Sequence, residues 1–541
     1  MAESTYDYVI VGAGSAGCAL AARLSEDPRI SVLLLEAGGR DRNPWIHVPV
    51  GYFKTMFDPK TSWNFVTEPE PGTAGRPMVW PRGKVLGGSS SINGLIYMRG
   101  QHQDYDHWRQ LGNAGWSWDD VLPYFKRAED QERGADELHG AGGPLGVANF
   151  SDDRELCRAY VEAAVEAGIP RNDDFNGPVQ EGVGYYQLTA RNGRRCSAAV
   201  AYLKPARKRA NLRVETDALA RRVLFEGRRA VAVEYAAGGA TREARAAREV
   251  ILSGGAINSP QLLQLSGVGP AALLREHGAR VVNDLPGVGA NLQDHYQTKN
   301  VYRCTRPITL NDDTRTLVRK LAVALRYAIH RDGPLTFCAG AVGVFARTRP
   351  ELETPDVQYH MLPLSTDKPL TGDPSERLTL QDFPGFTASV CQLRPESRGT
   401  VLIKSPDPAA PPAIRPNYLD ARLDRDTMVA GMKIARRISR SPSLRPYVAE
   451  ELAPGDAVDS DDEILAYVRG NGGTIFHPVG TCKMGDDSAA VVDARLRVHG
   501  VEALRVVDAS IMPTLVSGNT NAPAIMIGEK AADMIREDAG A

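Results

Sequence analysis

Tyr8-Val9-Ile10-Val11-Gly12-Ala13-Gly14-Ser15-Ala16-Gly17-Cys18-Ala19-Leu20 opens the ordered pattern of the chain, and Ser31-Val32-Leu33-Leu34-Leu35-Glu36-Ala37-Gly38-Gly39 completes it. A short β-branched run meets a Gly-rich turn. Ala16 to Leu24 then carries apolar residues at helical spacing, and Ser31 to Leu35 reads as a buried strand. Strand, helix and strand in this order call for a parallel sheet with a right-handed crossover. Gly12, Gly14 and Gly17 form a GxGxxG that follows a strand and opens a helix. Its glycines allow a tight turn, close approach of backbone N–H groups to a pyrophosphate, and close packing of helix on strand. The positive end of the helix dipole faces the phosphates. Glu36 lies nineteen residues after Gly17, where an acid accepts hydrogen bonds from ribose hydroxyls. This unit predicts a dinucleotide site and is compatible with both NAD and FAD.

Outward from this unit the chain runs to 541 residues, 43% apolar and 24% charged, which fits a globular protein of two to four structural units. A formal net charge of −2 gives no pointer to nucleic acid or to an anionic surface. Seven cysteines, an odd number without C-x-x-C or other metal-ligand spacing, argue against a disulfide framework or a metal centre. Glu3 and Asp7 stand where a signal peptide has its basic region, and no apolar run reaches about 18 residues. The expectation is a cytoplasmic protein without a transmembrane segment. Peripheral membrane association stays open.

Arg40 to Gly100 is rich in Trp, Pro and Gly and has little periodicity, as long functional loops do. Leu212 to Thr216, Arg222 to Phe225 and Ala230 to Tyr235 read as strands, and Glu249 to Ser253 as another entering a Gly turn. From about Val301 to Asp456 the chain changes character, with more Pro and aromatic residues and a basic helical stretch around Arg315 to Arg331. Leu504 to Asp508 is again a buried strand, followed by a helical stretch from about Ile525 to Arg536.

Two dense blocks decide between cofactors. They are Gly83-Lys84-Val85-Leu86-Gly87-Gly88-Ser89-Ser90-Ser91-Ile92-Asn93-Gly94 and Gly255-Ala256-Ile257-Asn258-Ser259-Pro260 with its continuation to Gly269. With Asn291-Leu292-Gln293-Asp294-His295 and the C-terminal segments below, they resemble the signature segments of the glucose–methanol–choline oxidoreductase family, in the family's order over essentially the whole chain. The resemblance implies an α/β (α+β) fold. It has a Rossmann-like FAD-binding domain of the p-hydroxybenzoate-hydroxylase type and a substrate domain built on an antiparallel sheet. The expected division is 1–155, 195–300 and 465–541 for the discontinuous FAD-binding domain, with 156–194 and 301–464 for the substrate domain.

Carried over position by position, the resemblance places Gly12, Gly14, Ser15, Ala16, Gly17, Glu36 and Ala37 on the ADP half of FAD. Ser89, Asn93 and Gly94 follow the pyrophosphate and isoalloxazine, Ala220 meets adenine through its backbone, and Asp508 and Ala509 make a second pyrophosphate contact. Asn521 and Ala522 neighbour the flavin. Ile92 stands where some relatives have a histidine bonded covalently to the flavin, so FAD is expected to be non-covalent.

Thr474-Ile475-Phe476-His477-Pro478-Val479-Gly480-Thr481 is similar to the segment carrying the family's catalytic histidine. Asn519, fourteen residues before Asp533, falls where the family has His or Asn. The residue types fit the chemistry. Alcohol oxidation removes a carbinol hydride, which goes to flavin N5, and a hydroxyl proton, which needs a base such as neutral imidazole. Asn519 offers an N–H donor to the developing negative charge on oxygen. The expected reaction is oxidation of an alcohol to an aldehyde or ketone, with electrons passed to a quinone or other acceptor. An oxygen-using oxidase, a hydroxynitrile-type lyase and an NAD-linked dehydrogenase are the competing readings, and the last leaves the Gly83 and Gly255 blocks without a role.

Within the family, the chain resembles the bacterial choline-dehydrogenase-like branch. Those relatives carry Ser-Asn after Gly-Pro-Leu-Thr and a Glu three residues past that Ser. Here the stretch is Gly333-Pro334-Leu335-Thr336-Phe337-Cys338-Ala339-Gly340. Phe337 and Cys338, with Ile475 and Phe476, are expected to wall the substrate pocket. An apolar wall predicts that primary alcohols with an apolar or aromatic body outrank choline and simple sugars.

Overall fold

A computed structural model describes residues 4–366 and 379–540. Two seven-stranded sheets organise it. In the first, Ser4–Val11 pairs in parallel with Val32–Leu35 on one side and with Ala240–Leu252 on the other, and Leu212–Glu215 extends the parallel edge beyond Val32–Leu35. Leu504–Val506 adds a further parallel partner to the end of Ala240–Leu252. Every residue of Val32–Leu35 is buried, as expected of a parallel strand covered on both faces. The beginning of Ala240–Leu252 pairs antiparallel with Arg229–Ala237, which pairs with Ala218–Glu226.

Helices Ser15–Leu24 and Asn521–Asp538 pack together over this sheet, and their apolar faces share its core. Glu529, fully buried between them, accepts from Arg23 Nε at 2.8 Å, Arg127 Nε at 2.8 Å and the Tyr202 hydroxyl at 2.7 Å. A buried carboxylate is tolerable because all its charge is paired. This cluster ties residues near the two ends of the chain together.

The second sheet is antiparallel, in the order Val448–Ala453, Tyr296–Cys304, Gly385–Gln392, Val357–Leu362, Val342–Ala346 and Gly182–Tyr185, with Gly473–Thr474 joining the start of Tyr296–Cys304. Alternation along Gly385–Gln392 sorts its side chains. Phe386, Ala388 and Val390 join the core that holds helix Arg422–Ser439, whereas Thr387 and Ser389 look into the space between the sheets. Strands of the first sheet fall within 1–155, 195–300 and 465–541. The second sheet draws on Tyr296–Cys304, which straddles 300 and 301, and on Gly473–Thr474.

The sequence-read elements are present with different ends. Ala240–Leu252 is far longer than the expected run from Glu249, because its first half is the solvent-side arm of an antiparallel pair with a polar pattern. The stretch from Arg40 to Gly100 forms only short helices, such as Pro44–His47 and Tyr52–Thr55, and two-residue strands. All seven cysteines are free and buried.

Candidate active site

A long cleft runs from the glycine-rich turn to the antiparallel sheet. At one end Gly12 has φ +106°, and a Cβ there would stand 2.4 Å from the Ser253 carbonyl oxygen, so only glycine lets this turn pass under its neighbour. Glu36 is buried. Its two oxygens accept from Ala13 N and Gly38 N, both at 2.9 Å, and burial pushes its carboxyl up to about 7. Helix Ser15–Leu24 starts without a side-chain cap, and Gly14, Ser15 and Ala16 of its first turn line the cleft. Their amide donors therefore face the space an anion would fill. Ser15 Oγ donates to Asn521 Oδ1 at 2.8 Å, which joins the first turns of two helices.

The middle of the cleft is lined by Ser89, Ile92, Asn93 and Gly94 from one side and by Asp508, Ala509 and Asn521 from the other. Asn93 Oδ1 accepts from Arg195 Nη1 at 2.6 Å. A Cβ on Gly94 would lie 2.2 Å from that of Ala339, so a larger residue would push the two loops apart.

At the far end His477 sits in a turn held by its neighbours. Its backbone N–H donates to Asp294 Oδ1 at 2.7 Å, and Thr474 Oγ1 donates to Asp294 Oδ2 at 2.6 Å. Tyr418 also donates to that carboxylate. Phe476 has φ +71°, left-handed for a bulky residue, and is pinned by Arg82 Nη2 donating to its carbonyl at 2.7 Å. Strain of this kind persists only where surroundings over-determine the backbone.

The side chains fix a protonation state. His295 Nε2 is 3.0 Å from the Leu393 carbonyl, which can only accept, so that nitrogen carries hydrogen. In neutral His295 the Nδ1 is then an acceptor, and His477 Nδ1, 3.0 Å away, must donate to it. His477 Nε2 is left bare and aimed at Asn519 Nδ2, 3.1 Å away, which donates to it. Asn519 Oδ1 accepts from Gln358 Nε2 at 3.3 Å, consistent with that amide orientation. Burial holds His477 well below the usual imidazole range, with His295, His360 and Arg82 acting in the same direction. His295 is pulled down to about 4 by burial. The arrangement is a neutral imidazole with a free lone pair beside an N–H donor.

The structure brings most of the expected residues to the cleft, including Gly12, Gly14, Ser15, Ala16, Glu36, Ala37, Ser89, Asn93, Gly94, Ala220, Asp508, Ala509, Ile475, Phe476, His477, Asn519 and Asn521. Gly17 packs instead against the Gly12 carbonyl, and Ala522 is turned into the core while Ala524 lines the cleft. Phe337 and Cys338 are corrections. They follow the turn Pro334–Thr336 and point away from the cleft. The Phe337 ring meets Phe150 edge-on at 4.9 Å under Arg154, and Cys338 Sγ donates to the Gly340 carbonyl. The apolar substrate wall expected from them is absent there. The sheet supplies Gln297, Lys299, His360, Thr387 and Ser389 instead. Sequence reasoning also missed His295 and Gln358; the Asn291-to-His295 block was the only signal pointing to the former.

Family models described as GMC oxidoreductase match residues 6–297 and 395–528. The chain belongs to the GMC oxidoreductase family. It is 46% identical over 533 residues to an alcohol dehydrogenase (acceptor) of Pseudomonas putida, covering 98% of this chain and 95% of that protein. An oxygen-dependent choline dehydrogenase of Brucella anthropi is 46% identical over 531 residues, covering 98% of this chain and 95% of its own. Among solved structures, pyridoxine 4-oxidase from Mesorbium loti matches with a TM-score of 0.88 at 34% identity, covering 98% of this chain and 99% of that one.

This GMC oxidoreductase is thus an FAD enzyme acting on CH–OH groups. Its residues fit the cofactor: a glycine turn, uncapped helix donors and the acid Glu36 at one end of the cleft, and His477 at the other. The fold is the α/β arrangement with an antiparallel substrate sheet that the resemblance implied.

Proposed function

We propose that His477 is the general base and Asn519 the oxygen-binding donor of this FAD-dependent alcohol oxidation. The observation that carries the reading is the bare Nε2 of His477, fixed by His295 and facing Asn519 across 3.1 Å. When bound, FAD supplies the acceptor for the carbinol hydride. The substrate hydroxyl displaces the Asn519–His477 hydrogen bond, gives its proton to His477 Nε2, and leaves its oxygen against Asn519 Nδ2. Asp294 holds the His477 backbone in place. Gly12, Gly14, Ser15, Ala16, Glu36, Ala37 and Ala220 hold the ADP half, and Ser89, Asn93, Gly94, Asp508, Ala509 and Asn521 the remainder. The first sheet with its helices is the FAD-binding part and the second the substrate part, along the division expected from sequence with Tyr296–Cys304 and Gly473–Thr474 moved to the latter. Anaerobic bleaching of the flavin by an alcohol tests the reading; a lyase would leave the flavin oxidised.

A second observation bears on the electron acceptor. Helix Leu317–His330 exposes Leu317, Val318, Leu321, Leu325 and Ile329, each at least 61% accessible. At 100° per residue these five share one face, opposite Val323 and Tyr327, and Tyr327 is the helix's buried residue. The Tyr327 hydroxyl donates to the Gly193 carbonyl, so the helix rests on the protein by that side and turns its apolar stripe outward. Arg315, Arg319, Lys320, Arg326 and Arg331 surround the stripe. No helix among the described residues is long and apolar enough to cross a membrane. A helix of this make lies in a bilayer interface, with its basic rim on anionic headgroups. This supports a membrane-held quinone as electron acceptor over dioxygen, with the protein a cytoplasmic one bound peripherally.

A further inference from the structure

The sheet face that looks into the cleft carries a polar row that the chemistry at His477 leaves unused. Lys299 stands opposite Ser389, and Ser389 stands opposite His360, on three neighbouring antiparallel strands. Directly opposed residues put their side chains on one face, and all three line the cleft. The row stops at Gly343, opposite His360, where a Cβ would come within 2.5 Å of the Tyr186 ring. Two residues along each strand lies the parallel row Gln297, Cys391 and Gln358, and Gln358 is the residue touching Asn519. Rows two residues apart are separated by about 7 Å. The polar row is thus set off from the oxygen-binding Asn519 by a few bond lengths.

None of the three side chains has a hydrogen-bonding protein partner among the described residues, although the His360 ring stacks on Tyr186. His360 is 3% exposed, and neither of its ring nitrogens is hydrogen-bonded. The Lys299 ammonium and the Ser389 hydroxyl are likewise free of protein acceptors. Burial alone pulls Lys299 down to about 8, which leaves it mostly charged at neutral pH, and burial pulls His360 down to about 3, leaving a neutral imidazole. Buried polar groups are normally paired, and an unpaired buried charge is more costly still. The acids lining the cleft, Glu36 and Asp508, are taken up by backbone and Ser259 donors near the nucleotide end. Arg82, the other cation lining the cleft, is taken up by the Phe476 carbonyl, so among the described residues the sheet face at the substrate end offers one unpaired cation, two unpaired neutral polar groups and no carboxylate of its own.

We propose that Lys299, Ser389 and His360 bind an anionic group at the far end of the substrate, so that the preferred substrates are hydroxy acids whose carboxylate stands several bonds from the carbinol. The proposal rests on the reading of His477 and Asn519 as the oxidation site. The carboxylate accepts a charge-assisted hydrogen bond from Lys299 and neutral ones from Ser389 and His360. It is a spectator: the hydride still leaves the carbinol carbon for FAD, and the hydroxyl proton still goes to His477. A trimethylammonium group in the same place meets a like charge, which sets this chain apart from a choline-selective site.

The holoenzyme is assayed with an artificial acceptor on hexan-1-ol, 6-hydroxyhexanoate, methyl 6-hydroxyhexanoate, 4-hydroxybutyrate and choline. Binding of hexanoate, which cannot be oxidised, is followed separately by perturbation of the flavin spectrum. The expected result is that a hydroxy acid exceeds hexan-1-ol and the methyl ester at least tenfold in kcat/KM. Lys299→Met removes most of that gap through KM and weakens hexanoate binding, with hexan-1-ol turnover within a few-fold of wild type. Lys299→Arg retains the preference. Hexan-1-ol or choline as the best substrate, or an unchanged ranking in a flavin-loaded Lys299→Met, overturns the proposal. Should no alcohol reduce the flavin, the oxidation reading falls, and the anion site is then decided by hexanoate alone: equal binding to wild type and Lys299→Met overturns it.

Discussion

His295 Nδ1 and His477 Nδ1 stand 3.0 Å apart, and that contact determines which nitrogen of His477 is free to act. His295 is anchored at its other nitrogen by the Leu393 carbonyl, so it can only accept from His477. The base is thereby oriented by a second imidazole rather than by a carboxylate, and no negative charge stands against its ring. Asp294 instead grips the His477 backbone. The pair stays neutral because burial favours the uncharged form.

Replacing His295 by Phe removes the acceptor and leaves His477 Nδ1–H unpaired in the core. Such a group costs about 1 to 3 kcal/mol, or about 5- to 150-fold in rate if it is spent on the reactive geometry. His295→Phe is expected to retain FAD and slow flavin reduction by alcohol within that range. Single-turnover reduction measures it, and an unchanged rate would show that His477 needs no such partner.

Glu36 gives a pH prediction. Its carboxyl is pushed up to about 7 by burial, and ribose hydroxyls donate to the ionised form. FAD therefore binds the carboxylate better, and affinity rises as pH rises through about 7. Holoenzyme diluted to low concentration is expected to release more flavin at pH 6 than at pH 8, with an affinity difference of about tenfold, since about one site in ten is ionised one unit below the pKa. Glu36→Gln should bind FAD more weakly at pH 8 and lose the pH dependence. Flavin release equal at both pH values in wild type would contradict this role.

The βαβ unit was legible in the sequence because its constraints are local: Gly12, Gly17 and Glu36 act within a few residues of one strand end. His477 and Asn519 were legible only through resemblance, since their contact joins segments 42 residues apart. His295, 182 residues before His477, reaches it through the start of the antiparallel sheet, and nothing in either local pattern specifies that register. The Lys299, Ser389 and His360 row is likewise a product of strand pairing. Phe337 and Cys338 misled because side-chain direction after the Pro334–Thr336 turn depends on Phe150 and Arg154, far away in sequence.

Ile92 lines the cleft and presents only hydrocarbon, so it can make no bond to the flavin. Acid precipitation is expected to release all the FAD into the supernatant. Yellow colour retained by the washed pellet would show a linkage through another residue.

The apolar stripe on Leu317–His330 predicts binding to vesicles containing anionic phosphatidylglycerol, weaker in neutral vesicles and at raised salt. Leu321→Glu with Leu325→Glu should abolish co-sedimentation while leaving turnover with a soluble acceptor unchanged. Equal sedimentation of wild type and variant would remove the helix from that role, and a change in oligomeric state instead would assign the face to a second copy of the chain.

The central claim is that the bare Nε2 of His477 takes the hydroxyl proton. Stopped-flow reduction of flavin-loaded His477→Ala by a good alcohol substrate tests it most directly. A positioned base contributes about 10² to 10⁴ in rate, so reduction slower by that factor with FAD content unchanged is the predicted result. Reduction within a few-fold of wild type would contradict the account.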